Sequence, residues 1–420
     1  MKKISDIKLI IIAMVLGIAA GTLIGKPIGN IKFLGDIFLR LIQMSVVILI
    51  MGAVIEAVGS LDPDELGRLG GKTLVGFLIT TVIAAAVGII LANVLRPGSG
   101  ITGMNNLHSS VKAVNQSFSD IIVNFFPKNI MESLSTGNTI QVIVFAILFG
   151  LALSILGKKD GDNSILNIVK KINVVLTYII KIIMKSAPIG IFALIAWVVG
   201  TTGVKVIIPL AKFLLAMGIG SIGILLVTVL ITALYAKVSP VKLLTKFYRM
   251  LVVAFTTTSS AVTLPIEMED AEKKLGINKR VSSLVLPLGM SLNSGGLALY
   301  LALACLTVAQ FFNINLTLSQ QITVVVMSTL ATLGTVVVPG GGLVALAIVF
   351  PTMGLPVEGI ALLAGIDWFS GMFRTVLNVF NDVMVAFVIA VNEKELDRSV
   401  FDNEVAGDFE ENQALQSEYN

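Results

Sequence analysis

The chain of 420 residues has very little of the chemistry that most enzymes use, with one cysteine, Cys305, and one histidine, His108. A single cysteine excludes a disulfide within the chain. One cysteine and one histidine supply neither a zinc cluster nor a Cys/His catalytic pair. The sequence also lacks a GxSxG nucleophile motif and a Walker A loop. An enzyme is therefore the least favoured class of function.

Charged residues are also scarce, because Asp, Glu, Lys and Arg make up only 13% of the chain. That is about half the share found in a soluble globular protein. Hydrophobic residues reach 55% and the mean hydropathy is +0.94. They occur in repeated runs of about 20 residues, the length that a helix needs to cross a bilayer. These features predict an all-α polytopic protein of the plasma membrane, in contact with lipid.

The distribution of basic residues predicts the topology. They cluster at Lys2 and Lys3 and within segments 237–249 and 273–280. The positive-inside rule places these clusters, and hence both termini, on the cytoplasmic side. The net charge of +4 is too small to indicate nucleic-acid binding. The polar, acidic segment 392–420 is predicted to be a disordered cytoplasmic tail.

Apolar segments bounded by turn-forming or charged residues predict the helices. They are expected at about 7–25, 32–60, 70–95, 128–157, 163–185, 204–236, 281–311 and 357–391. The fourth is expected to be interrupted near residues 133–138, and a break is expected at Pro188. The polar connection 98–127 is expected to lie outside the cell.

Two stretches in the second half predict re-entrant hairpins. The hydroxyl-rich stretch 256–265 and the glycine-rich stretch 333–342 each lie between apolar arms that are too short to span a membrane. Between them, residues 291–296 interrupt an apolar helix. Non-helical backbone at membrane depth is tolerated only where it lines a cavity or is buried in protein. Such paired broken segments indicate the binding site of a transporter.

The last apolar segment carries ionisable residues on one helix face. At about 100° per residue, Asp367, Arg374, Asn378 and Asp382 fall within about 80° of one another. Charges inside a bilayer are costly, so they face a cavity or a partner. One interpretation is an ion pair, Arg374 with Asp367 or Asp382, that only joins helices. The favoured interpretation is an anion site at Arg374, whose planar fork suits a carboxylate, and a cation site at Asn378 and Asp382.

Four motifs in this order resemble those of the dicarboxylate/amino acid:cation symporters, the family of the glutamate transporters. The match covers nearly the whole chain up to about residue 392. The motifs are Ser259-Ser260 with Thr263-Leu264-Pro265, Pro287-Leu288-Gly289 with Asn293 and Ala298-Leu299-Tyr300, Gly334-Thr335 with Val338-Pro339-Gly340, and Gly365-Ile366-Asp367 with Arg374-Thr375, Asn378 and Asp382.

The resemblance implies eight transmembrane helices and two re-entrant hairpins, arranged as inverted repeats in a homotrimer. A scaffold would hold a transport domain that moves like an elevator, with the second hairpin as its gate. The implied segments are scaffold 1–69 and 128–203, transport domain 70–97 and 204–391, extracellular connection 98–127 and tail 392–420.

The resemblance also implies how the site residues act. Arg374 would bind the distal carboxylate of a substrate, Ser260 and the first hairpin tip its main carboxylate, and Asn378 would contact substrate and site. The other implied substrate contacts are Ser259, Val338, Pro339, Gly340, Gly371 and Thr375. A first sodium site is implied at Gly289, Asn293, Asn378 and Asp382. A second is implied at Ser291, Thr332, Leu333 and Thr335.

The chain departs from the family pattern at two places. The family has Asn-Met-Asp-Gly-Thr where this chain has Asn293-Ser294-Gly295-Gly296-Leu297. A third sodium site, to which Thr80 and Thr81 would contribute hydroxyls, is therefore expected to be lost or altered. Gly371 stands where the family has the aspartate that holds the amino group of the substrate. This departure favours a substrate with two carboxylates and no ammonium group.

The sequence thus leads to a hypothesis of secondary active symport, the import of an acidic solute coupled to sodium. The cargo would be a C4-dicarboxylate or an acidic amino acid, with another amino acid such as cystine as an alternative. Proton coupling is a further alternative, because the sodium sites differ from the family pattern. A passive anion channel is the alternative class.

Overall fold

The structure, a computed structural model, describes residues 6–60, 69–99, 123, 126–203, 207–333 and 341–402. The part of the chain that it describes is almost entirely helical, and its only β-bridge joins Ile277 and Leu396. The predicted all-α fold is confirmed at this level. Most of the connection 98–127 and the segment 334–340 lie outside the described residues.

The first half of the described chain forms seven α-helices and one short 3-10 helix, Lys26–Ile31. Both interruptions expected from the sequence occur, one between Thr136 and Thr139 and one between Met184 and Ala187. Pro188 lies in the first turn of the helix after the second break. Backbone N–H groups in the first turn have no acceptor within the helix, so proline costs no hydrogen bond there. The helices are α1 (Asp6–Ile24), α2 (Lys32–Gly59), α3 (Gly71–Leu95), α4 (Ile130–Thr136), α5 (Thr139–Asp160), α6 (Ser164–Met184) and α7 (Ala187–Thr202).

The second half of the described chain contains two long helices, Ile207–Ala236 and Asp367–Glu393, and a succession of shorter ones. The helices are α8 (Ile207–Ala236), α9 (Pro240–Lys246), α10 (Tyr248–Thr257), α11 (Ser260–Lys273), α12 (Lys279–Leu292), α13 (Gly295–Phe311), α14 (Leu318–Leu333), α15 (Gly341–Thr352), α16 (Glu358–Ala364), α17 (Asp367–Glu393) and α18 (Arg398–Asp402). Five helical stretches among the described residues are long and apolar enough to cross a membrane. They are Gly71–Leu95, Gln141–Asp160, Ile207–Ala236, Lys279–Phe311 and Asp367–Glu393.

The helices pack into two main groups. In the first group, α1 packs on α7, and α2 packs on α5, α6 and α7. In the second group, α3 packs on α13, and α17 contacts α8, α10, α12 and α13. Helix α13 lies at the centre of the second group, where every residue from Gly295 to Ala309 is buried. The polar-faced helix α17 is therefore surrounded by protein along much of its length.

The last predicted helix, 357–391, differs from expectation because it is two helices, α16 and α17. They are separated at Gly365 and Ile366. A Cβ at Gly365 would lie 2.5 Å from Cδ1 of Ile195, so the glycine permits close packing on α7. Asp367 then opens α17, where a carboxylate is favoured by the positive end of the helix dipole. The break therefore gives the carboxylate a position at a helix N-terminus.

The segment after α17 is ordered as far as Asp402, which corrects the expectation that disorder begins at residue 392. The backbone N–H of Asn278 donates to the carbonyl of Glu395 at 3.0 Å. Arg398 Nη2 donates to the carbonyl of Ala236 at 2.8 Å. The acidic character of the tail sequence did not reveal these backbone contacts. They bring the segment after α17 against the two basic connections of the second half.

Candidate functional site

A tight connection joins α10 and α11 within 256–265, the stretch predicted to form the tip of the first hairpin. Thr258 ends α10 in the left-handed conformation, with φ 51°. Ser259 caps α11, since its hydroxyl accepts from the N–H of Val262 at 3.4 Å. Its own N–H donates to the hydroxyl of Thr257 at 3.3 Å, and Ser260 begins the helix as a buried residue. The tip therefore presents the start of a helix, a position that favours an anion.

A side chain from α17 forms a hydrogen bond with the backbone at the interruption between α12 and α13. Asn293, between α12 and α13, has an extended backbone with φ −110° and ψ 98°. The N–H of Gly296 donates to Oδ1 of Asn378 at 2.8 Å. A Cβ at Gly296 would overlap the carbonyl of Arg374, so only glycine permits this approach of α13 to α17. The interruption and the polar face of α17 are thus in direct contact.

Asp382 lies at the centre of a buried polar cluster. Its Oδ1 accepts from Nδ2 of Asn293 at 2.8 Å, and its Oδ2 has no hydrogen-bond partner among the described residues. The hydroxyls of Thr80 and Thr81 donate to Oδ1 of Asn293 at 3.3 Å and 3.2 Å. A Cβ at Gly289 would lie 2.5 Å from Cγ of Asp382. A carboxylate beside an amide and hydroxyl oxygens is the kind of ligand set that suits a small hard cation.

Arg374 forms an ion pair with Asp367 and not with Asp382. Its Nη1 lies 2.7 Å from Oδ1 of Asp367, and the two side chains are 11% and 9% exposed. The guanidinium also stacks over Tyr300, 4.5 Å from the ring centroid. The ion pair that the sequence offered as an alternative is therefore present. It fixes the guanidinium beside the tip of the first hairpin and leaves Asp382 with Asn293.

The start of α15 lies directly against this ion pair. A Cβ at Gly342 would overlap both Nη1 of Arg374 and Oδ1 of Asp367. On the other arm, the buried hydroxyl of Thr332 donates to the carbonyl of Thr329 at 2.7 Å. Leu333 ends α14. The remaining predicted residues of the second tip lie outside the described residues: Thr335, Val338, Pro339 and Gly340.

Gly371 faces the space between Arg374 and the first hairpin. A Cβ there would lie 3.3 Å from Nη2 of Arg374 and 3.9 Å from Cβ of Thr258. A longer side chain at this position would project between the guanidinium and the hairpin tip. Thr375 is buried on the same helix, whereas the hydroxyl of Ser291 is bonded to the carbonyl of Pro287 at 3.2 Å. The glycine therefore leaves room beside the one arginine of the site.

Sequence reasoning assigned no role to two buried polar residues near Asp382. Glu267 on α11 is 1% exposed, and neither oxygen of its carboxylate has a hydrogen-bond partner among the described residues. Asn381 is also 1% exposed, and both of its amide atoms lack a partner there. A Cβ at Gly295 would overlap Nδ2 of Asn381. The amide of Asn381 thus lies where the side chain of a larger residue at position 295 would begin.

The spacing of polar residues along α11 could have indicated that Glu267 is buried. Ser260, Thr263, Glu267 and Asp270 follow one another at spacings of three or four residues, and all four are buried. Residues at these spacings share one face of a helix. The polar stripe was hidden in the sequence because Glu267 opens a run of charged residues that ends at Lys274. Such a run is more often the solvated end of a helix.

Comparison with known proteins gives a consistent result. The model of the sodium:dicarboxylate symporter family matches residues 7–391. The proton/sodium-glutamate symport protein of Bacillus caldotenax is 35% identical over 93% of this chain and 95% of its own length. The proton/glutamate-aspartate symporter of Bacillus subtilis (strain 168) is 33% identical over 92% and 95%. C4-dicarboxylate transport protein 1 of Ralstonia nicotianae is 32% identical over 95% of both chains.

The buried ion pair gives a testable prediction about stability. Asp367→Asn should lower the free energy of unfolding by about 3–5 kcal/mol, because it leaves the charge of Arg374 buried and unpaired. The double variant Asp367→Asn/Arg374→Gln should recover much of that loss. The measurement is the unfolding transition of the purified protein in detergent.

The exposed pair between Lys273 and Glu269, with side chains 73% and 39% exposed, provides the control. Lys273→Gln should change the free energy of unfolding by at most about 1 kcal/mol, because solvent screens this pair. A double variant at Asp367 and Arg374 that is no more stable than Asp367→Asn would contradict the coupling of the two charges.

Proposed function

Since this chain belongs to the sodium:dicarboxylate symporter family, we propose that it is a secondary active symporter that imports a carboxylate-bearing solute together with sodium. The family consists of transporters, so the chain is not an enzyme. It is a multi-pass membrane protein, and we place it in the plasma membrane. The proposal assigns the anion to Arg374 and sodium to the cluster around Asp382.

One observation carries the proposal, the direct contact between the anion-binding and cation-binding regions. Asn378 lies one turn after Arg374 and one turn before Asp382 on α17. Its Oδ1 accepts from the N–H of Gly296 at the helix interruption. A cation at Asp382 and Asn293 would therefore act on the same turn of α17 that holds the guanidinium. Coupling between two sites requires a shared element whose conformation both ligands affect.

For the substrate, we propose a C4-dicarboxylate. Gly371 leaves open the space beside Nη2 of Arg374, so no carboxylate at this position is available to bind an ammonium group. The relative from Ralstonia nicotianae is named as a C4-dicarboxylate transport protein. An acidic amino acid is the second candidate, because the two Bacillus relatives are named for glutamate or aspartate.

For the coupling ion, we propose sodium bound at Gly289, Asn293, Asn378 and Asp382. Ser291, Thr332, Leu333 and Thr335 would contribute a second site. A third site would be altered, because Gly295 supplies no carboxylate. Protons are the alternative coupling ion, since the relative from Bacillus caldotenax is named for both ions. A chain with fewer sodium sites would couple each substrate to fewer ions.

The packing supports the proposed elevator architecture. The helices of the first group, α1, α2, α5, α6 and α7, would form the scaffold of a homotrimer. Helix α3 and the helices from α8 to α17 would form the transport domain, in which the hairpins are α10–α11 and α14–α15. The contacts of Arg398 and Glu395 with the basic connections support a C-terminus on the cytoplasmic side.

Uptake into vesicles tests the function. The purified protein would be reconstituted with an inward sodium gradient, a proton gradient or neither, and supplied with labelled succinate or labelled aspartate. We expect succinate to be concentrated only with the sodium gradient. Arg374→Ala should abolish this uptake, because the fork that binds carboxylate is removed.

Arg280→Ala is the matched control, since this exposed arginine pairs with Glu395 at 2.9 Å, outside the site. It should leave uptake unchanged. Undiminished uptake by Arg374→Ala would contradict the anion site. Uptake that equilibrates without a gradient would indicate a channel. Uptake driven by a proton gradient alone would show that protons, and not sodium, are the coupling ion.

The role of Gly371 has its own test. Gly371→Asp would place a carboxylate between Arg374 and the first hairpin tip, where an ammonium group of a bound amino acid could meet it. We expect the ratio of aspartate to succinate affinity to rise by at least about tenfold, a shift that one charged hydrogen bond can supply. Competition between the two labelled acids measures this ratio. Gly223→Ala, at a glycine with open space around it, is the control. An unchanged ratio would contradict the use of Gly371 in substrate selection.

A further inference from the structure

The most unusual feature of the buried interior is a carboxylate that no part of the proposed function uses. Glu267 lies on α11, which packs against α12 and α17. Both of its carboxylate oxygens are buried without a hydrogen bond among the described residues. A buried charge without a partner is strongly unfavourable, so a residue of this kind needs a compensating group.

Among the described residues, no basic residue forms an ion pair with Glu267. The nearby cations at the base of the hairpin pair with Asp270, one turn further along α11: Arg249 at 3.2 Å and Lys274 at 3.2 Å. The helix that carries Glu267 packs on α17, where Asp382 is a second fully buried carboxylate with an unpartnered oxygen among the described residues. Three oxygens of this pair lack hydrogen-bond partners among the described residues: Oε1 and Oε2 of Glu267 and Oδ2 of Asp382.

We propose that Glu267 is a ligand of the cation bound at Asp382, so that two carboxylates from two different elements hold one hard cation. The inference rests on the proposed function and deepens it. Asp382 comes from α17, Asn293 from the helix interruption and Glu267 from the first hairpin. A cation placed between the two carboxylates satisfies the unpartnered oxygens and removes the repulsion between the charges. Oxygen ligands of this kind suit sodium, magnesium or calcium.

The arrangement has a mechanical consequence. The tip of the first hairpin is the N-terminal end of α11, and Glu267 lies two turns along the same helix face from Ser260. A cation bound by Glu267 and Asp382 would join α11 to α17. The cation would thereby stabilise the position of the hairpin tip relative to Arg374. Substrate binding would depend on the cation through the hairpin as well as through Asn378.

The test is the thermal unfolding of the full-length protein in lipid nanodiscs during cation titration. Sodium, potassium, magnesium and calcium chlorides would each be titrated against choline chloride at constant ionic strength. Because a ligand that binds only the folded state raises the unfolding temperature, the titration reports its affinity. The variants are Glu267→Gln and Glu267→Asp, with Glu269→Gln as the control on the same helix. Glu269 is 39% exposed and pairs with Arg249 and Lys273 at the surface.

Glu267→Gln should raise the half-saturating concentration of the stabilising cation by at least about tenfold, as expected for the loss of a metal-site residue. It should also raise the unfolding temperature in choline alone, because the repulsion with Asp382 is removed. Glu267→Asp keeps the charge and should keep a cation response. Glu269→Gln should match the wild type in both respects. If Glu267 had only a structural role, Glu267→Gln would not raise the unfolding temperature and weaken the cation affinity together.

The inference is overturned if the cation response of Glu267→Gln stays within about twofold of the wild type, well below the loss expected for a metal-site residue. It is also overturned if no cation stabilises the wild type and only pH does, since a shared proton would then occupy the pair. Succinate uptake by the same purified proteins, reconstituted into vesicles with an inward sodium gradient, separates the two claims. A wild type without sodium-driven uptake contradicts the proposed function, even where its cation response depends on Glu267.

Discussion

The structure depends on one constraint, that a charge buried among apolar helices must have a partner. Helix α17 carries three such charges in two different environments. Arg374 and Asp367 compensate each other across two turns of the same helix, at 2.7 Å. Asp382 receives one hydrogen bond from Asn293, and its Oδ2 has no hydrogen-bond partner in the part of the chain that the structure describes. The first pair is complete without a ligand, and we propose that a cation completes the environment of Asp382.

The remaining architecture places broken backbone around these charges. The interruption between α12 and α13 brings Asn293 and Gly296 to α17, the first hairpin ends at Thr258 beside Arg374, and α15 begins at Gly342 against the ion pair. Each approach uses a glycine or a helix end, because a side chain would fill the space. Non-helical backbone is stable at this depth because protein surrounds it. The two ligands of a symporter would thus meet on one helix, which is the simplest basis for linking their binding.

Much of this arrangement could be predicted from the sequence, because helical periodicity and residue chemistry carry it. The polar face of α17 and the interruption near Asn293 followed from spacing and composition. The sequence left open whether Arg374 pairs with Asp367 or Asp382, since both lie on the same face and only packing decides. Glu267 was missed because it opens a run of charged residues that resembles the solvated end of a helix, and only the packing of α11 on α12 and α17 buries it. The acidic composition of the tail likewise hid the backbone contacts that order it as far as Asp402.

The central claim is that the anion at Arg374 and the cation at Asp382 bind cooperatively. The most direct measurement is the Kd of labelled succinate for the purified protein across sodium concentrations, together with the sodium affinity with and without succinate. The account predicts that sodium lowers the Kd of succinate and that succinate raises the affinity for sodium by the same factor, because coupling free energies are reciprocal. A succinate Kd that stays constant from sodium-free buffer to saturating sodium would contradict it.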